Sequence, residues 1–211
     1  MALSSTSICN MALGRIGSAR IADYTDSDED SVQAVQCRLH YEQTRNALLR
    51  SHLWRFARKR AELSANITDP IFEWDYAYDL PADFLRLWIK PFEDNNVGWH
   101  NTRYSYSPEG TQILSNEDEM YIRYISKVTD ETKFDPLFVE VFILTLAMKF
   151  VMSLTGDKEL YMVLGEELRE VMRRVRAMDK QETNTIGQGE MFTWNNARLT
   201  GASGDPAHSY S

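Results

Sequence analysis

Asp26, Asp28 and Asp30 occupy the first three ligand positions of a calcium-binding loop. That chemistry also requires glycine at the sixth position and a bidentate glutamate at the twelfth, where this chain has Ser31 and Cys37. The coordination shell cannot be completed. Gly14-Arg15-Ile16-Gly17 lacks the spacing and the lysine of a phosphate loop, and no GxSxG elbow occurs. His40, His52, His100 and His208 form no HExxH arrangement. Cys9 and Cys37 have neither CxxC spacing nor a nearby histidine doublet, which points to reduced thiols on helix faces rather than a zinc centre. No metal and no cofactor is expected. Carboxylates are abundant, and a glycosidase pair needs only two that are neighbours in space, so cell-wall hydrolysis stands as a rival reading.

The segment Trp54-Arg55-Phe56-Ala57-Arg58-Lys59-Arg60 combines four cations with two aromatics, a composition that can touch nucleic acid. A DNA-binding module built on it is a second rival. The reading favoured by the general behaviour of charged runs is different: the aromatics anchor the end of a helix, and Arg55, Arg58 and Arg60 pair with acidic groups within or between subunits. The overall balance supports it. With 23 basic against 31 acidic residues the net charge is -8, which opposes a broad phosphate-gripping surface and allows only weak, salt-sensitive DNA contact.

These residues need elements to position them. Ser4 or Ser5 should cap a first helix running through Ile8, Met11, Ala12 and Ile16 to Gly17. Ser27, followed by Asp28, Glu29 and Asp30, predicts the start of a second helix that reaches about Ser51. Between Asp69 and Ile125, which holds half of the chain's aromatic residues, the period becomes twofold. Phe72, Trp74, Tyr76 and Tyr78 alternate with polar or small residues as in a half-buried strand. Further strands are expected at Leu85 to Ile89, around Tyr104 and Tyr106, at Ile113-Leu114 after the Ser107-Pro108-Glu109-Gly110 turn, and at Met120 to Ile125.

Asp135-Pro136 signals a third helix, apolar nearly all round from Leu137 to Leu154. Glu140 and Lys149 would each cost about 2.5 to 3.5 kcal/mol at a bilayer centre, so this helix is read as buried and not membrane-inserted. Its apolar surface exceeds what one partner can cover, which makes Phe142 and Phe150 candidates for subunit contacts as well as core. Thr155-Gly156-Asp157 should turn the chain into a fourth helix folding back antiparallel, with Leu160, Leu164, Leu168, Val171, Val175 and Met178 inside. The N-terminus does not read as a secretory signal. The expected fold class is mainly α, a helical bundle with a small antiparallel β insertion: residues 1–68 and 126–181 helical, 69–125 β-rich, and 182–211 an extended arm. That arm holds four of the ten glycines and few charges, so Phe192, Trp194 and Tyr210 are its candidate anchors on a partner.

The order of several segments resembles the tail tubular protein A family, the portal-to-tail adaptors of T7-like short-tailed bacteriophages. The resemblance is carried by Ile8-Cys9-Asn10, Leu13-Gly14-Arg15-Ile16-Gly17, Cys37, Tyr41, Arg45 and the run from Leu48 to Ala57. It continues through Tyr76-Ala77-Tyr78-Asp79-Leu80-Pro81-Ala82-Asp83, Ile113-Leu114-Ser115-Asn116 and Phe134-Asp135-Pro136-Leu137-Phe138. Leu53 and Arg55 depart from the proline and asparagine usual in that pattern. The resemblance implies a non-enzymatic virion protein, assembled in the host cytoplasm as a homo-oligomeric, twelve-subunit ring. Its implied partners are the portal and the distal tail nozzle, with double-stranded DNA passing through the centre.

Overall fold

The computed structural model describes residues 3–88 and 105–187, with side chains as far as Asp179. The chain divides into two compact units, the first ending at Leu168 and the second beginning at Arg169.

Three helices build one layer of the first unit. Helix α1 (Ser5–Arg15) opens with a reciprocal cap in which the Ser4 hydroxyl accepts from the Ser7 amide and the Ser7 hydroxyl accepts from the Ser4 amide. It closes at Gly17, whose φ of +69° falls in the left-handed region that favours glycine. Helix α2 (Val32–Ser51) starts later than the acidic run suggests, capped by Ser31. The acids ahead of it are engaged in turns instead. Asp23 accepts from Thr25, Asp26 accepts from the Asp28 amide, and Glu29 accepts from the Ala22 and Asp23 amides. Side chains that satisfy loop amides compete directly with helix formation.

Helix α3 (Pro136–Phe150) begins as expected, with the Asp135 carboxylate accepting from the Leu137 amide and proline in the first turn. It packs against α1 and α2 and buries Phe138, Val141, Phe142, Leu144, Leu146, Ala147 and Phe150. A π-helical turn, Val151–Thr155, then leads to Gly156 at φ +67°. Helix α4 (Lys158–Gly187) follows, buries Leu164 in the first unit, and ties Glu167 to Arg15 at 3.0 Å. In the second unit Arg173 pairs with Glu170 one turn away.

The other layer of the first unit corrects the expected fold class. The protein is α+β, with two three-stranded antiparallel sheets, and is not a mainly helical bundle. The first sheet has the order β1 (Arg58–Leu63), β6 (Met120–Ser126), β3 (Phe84–Leu87). The second has the order β2 (Tyr76–Asp79), β5 (Gln112–Ser115), β4 (Tyr106–Glu109). Strand β1 lies inside the span expected to be helical. Its sequence, Arg-Lys-Arg-Ala-Glu-Leu, hides the twofold period because charged residues occupy both faces and favour strands poorly. The ladder to β6 forms it, and charged side chains suit an edge position.

The two sheets stack through Leu63, Met120, Ile122 and Tyr124 of the first and Tyr78 and Ile113 of the second. Each such side chain contributes about 1.5–3 kcal/mol on full burial, so the β layers have a core of their own and are not an appendage to the helices. An aromatic cluster packs the turn that leads into β1 against α3. Trp54 sits edge-on to Phe138 at 5.0 Å, Phe56 lies 5.1 Å from Phe138, and the Trp54 indole donates to the Leu48 carbonyl at 2.9 Å.

Candidate functional site

Strand alternation sorts the first sheet into two chemically different faces. Lys59, Ala61 and Leu63 point with Tyr124, Ile122 and Met120 toward the second sheet. Arg58, Arg60 and Glu62 therefore point away from it. In register with them on β6 are Ile125, Arg123 and Tyr121, and Arg86 of β3 lies opposite Ile125. The Trp88 amide donates to the Arg123 carbonyl at 2.8 Å, which extends β3 by one residue. The Arg58 guanidinium lies 5.1 Å from the Trp88 ring centroid, an attractive cation–π geometry.

Four arginines thus occupy the face of the first sheet turned away from the second, in a chain of net charge -8; α2 covers part of this face, and Ile125 between Arg58 and Arg86 is fully buried there. Arg60 and Arg123 are direct cross-strand partners, an arrangement in which like charges repel. Glu62 is the acid on β1 of this face. Arg58, Arg60 and Arg86 are exposed, Arg123 is half-buried, and Arg86 donates to the Arg50 carbonyl at the end of α2. Tyr121 is exposed beside them. The sequence singled out Arg58 and Arg60. It missed Arg86 and Arg123, because only strand pairing brings them to the same face. Arg55 stands apart in a short 3-10 turn, Arg55–Ala57, between α2 and β1.

The other outer face belongs to the second sheet. Asp79, Gln112, Leu114 and Glu109 line it, and the chain between β1 and β2 crosses over it to leave an open cleft of about 1010 Å³. Asn66 fastens one end of this loop, with its amide donating to the Ala77 carbonyl at 2.7 Å and its side chain to Asp79 at 3.1 Å. Asn116 fastens the other by accepting from the Asp75 amide at 3.0 Å. Between the two fastenings Ile67, Ile71 and Phe72 are 104%, 98% and 72% exposed. Asp69, Glu73 and Asp75 flank them, with Glu73 in a left-handed conformation. The expected strand from Phe72 is shortened to Tyr76–Asp79, and its apolar start becomes the exposed loop.

The remaining candidates fall elsewhere. Phe142 and Phe150 are fully buried among the helices of their own subunit. Phe192, Trp194 and Tyr210 lie outside the described residues. Cys9 and Cys37, distant in sequence, meet across α1 and α2; the hydrogen bond to Cys37 and burial push the Cys9 thiol well up. Among the described residues no group of three or more His, Cys, Asp or Glu side chains is placed to hold a metal ion.

The shifted carboxyls all move downward. Thr25 holds Asp23 below its ordinary value, Lys127 does so for Glu42, Gln112 and Asn66 for Asp79, and Thr132 for Asp130. Comparison with known proteins adds no family. No family model matches the sequence, and no curated protein matches it either. What these surfaces offer chemically is recognition: a guanidinium-rich face for anionic groups, and an apolar loop with acidic flanks.

Proposed function

We propose that this chain is a structural subunit of a bacteriophage head-to-tail adaptor, a homo-oligomeric ring that joins the portal to the distal tail and forms part of the DNA channel. The observation that carries the reading is where the segments resembling tail tubular protein A fall. They are the joints of the first unit. Leu13 to Gly17 closes α1, and Trp54 and Phe56 pack the turn ahead of β1 against Phe138 of α3. Tyr78 and Ile113 fill the core between the sheets, and Asp135-Pro136 starts α3. Residues that set the angles between elements are what a shared scaffold requires, whatever its surface contacts.

The rival reading is a cell-wall hydrolase, whose acid would need a carboxyl with a raised pKa; among the described residues each carboxyl with a resolved shift is lowered. Incubation of the purified protein with peptidoglycan tests this directly. Release of soluble fragments should equal that of a heat-killed control, and turnover abolished by one carboxylate substitution would overturn the structural reading.

A further inference from the structure

The β unit has two complementary outer surfaces that belong to different sheets. The sheets share one core, so each turns its other face away from it, and the loop over the second sheet reaches as far as β1 at Ala61, Glu62 and Leu63. One surface presents Arg58 and Arg60 beside the aromatic rings of Trp88 and Tyr121. The other presents Ile71 and Phe72, almost wholly in solvent, between Asp69 and Glu73. Resting on the ring reading above, we propose that these two faces bind one another between copies: the acidic, apolar loop of one subunit docks on the cationic sheet face of the next.

Three features select a second copy as the occupant. Charge and apolarity match in kind, acid to guanidinium and aliphatic or phenyl tip to indole and phenol. The loop is held out by hydrogen bonds at both of its ends, so large apolar groups are kept in water by the fold and not by fraying. The faces are different, so their contact is heterologous, and a repeated heterologous contact forms a ring where its rotation closes and an open filament where it does not.

The test uses full-length chains in which either face is inverted. R58E/R60E removes the cationic face and keeps the loop, whereas D69K/E73K removes the acidic loop and keeps the face. All four positions are exposed, so each variant should keep the parent's circular dichroism and melting temperature. Each alone should self-associate about tenfold or more weakly than the parent. An equimolar mixture should assemble again with the two variants alternating, since the acidic loop of one fits the cationic face of the other and the basic loop of the second fits the acidic face of the first, and the chain carrying all four substitutions should likewise assemble. As a check that needs no substitution, raising the ionic strength should weaken the parent's self-association.

A parent that forms rings while both variants still assemble like it overturns this contact and leaves the ring reading standing. A parent that stays monomeric alone and on portal rings overturns both. If R58E/R60E keeps assembly but loses binding to a short DNA duplex, the arginine face belongs to phosphate and the proposal fails.

Discussion

Asp83 links three parts of the first sheet. Its carboxylate accepts from the Lys59 ammonium at 2.5 Å and from the Tyr124 hydroxyl at 2.9 Å. Burial pushes this carboxyl up, but the bonds from Lys59 and Tyr124 outweigh it and leave Asp83 below its ordinary value. The same arrangement, led by burial, raises the Tyr124 phenol to about 12. A carboxyl lowered on folding stabilises the native state above its unfolded pKa of about 3.9 and loses that contribution as pH falls through the folded value. Asp83→Asn should therefore be less stable than the parent toward urea at pH 7, and the difference should shrink below about pH 4. An equal difference at both pH values would show that the charge plays no part. Sequence reading reached Asp83 only as the last residue of the Tyr76 to Asp83 segment that carries the resemblance; its partners come from β1 and β6, which nothing local to that segment reveals.

At the scale of elements, local chemistry was legible wherever a cap or a strong period decided the outcome. Ser4, Asp135-Pro136 and Gly156 each mark a helix end at or next to the expected position, because each satisfies or terminates backbone hydrogen bonds within a few residues. Helix α2 was misplaced at its start, since Asp26 and Glu29 serve nearby amides instead of a helix dipole. Strand β1 was invisible because its ladder partner, β6, lies far along the chain and its own residues are mostly charged. Asp135→Ala should cost about 1 kcal/mol of unfolding free energy, the usual loss for removing an N-cap acceptor. Chemical denaturation followed by circular dichroism checks this, and an unchanged midpoint would mean that the Asp135 bond to the Leu137 amide contributes nothing.

At the scale of the whole molecule, the expected mainly helical bundle became an α+β unit because the β layers bury a core of their own. The cluster from Trp54 to Arg60 illustrates how far sequence carried the candidate site. The aromatic half was legible as an anchor, and Trp54 and Phe56 do meet Phe138 in the interior. The cationic half acquired its meaning only when Arg86 and Arg123 joined Arg58 and Arg60 on one sheet face. The arginines gathered on one sheet face and the acidic, apolar loop over the other sheet are the two surfaces that the proposed contact between copies would use. The mass of the purified protein in solution, measured with and without isolated portal rings, tests the adaptor account most directly. The account predicts a ring-sized oligomer, alone or assembled on the portal, with one set of copies per portal ring; a monomer that leaves the mass of the portal unchanged at every protein concentration would contradict it.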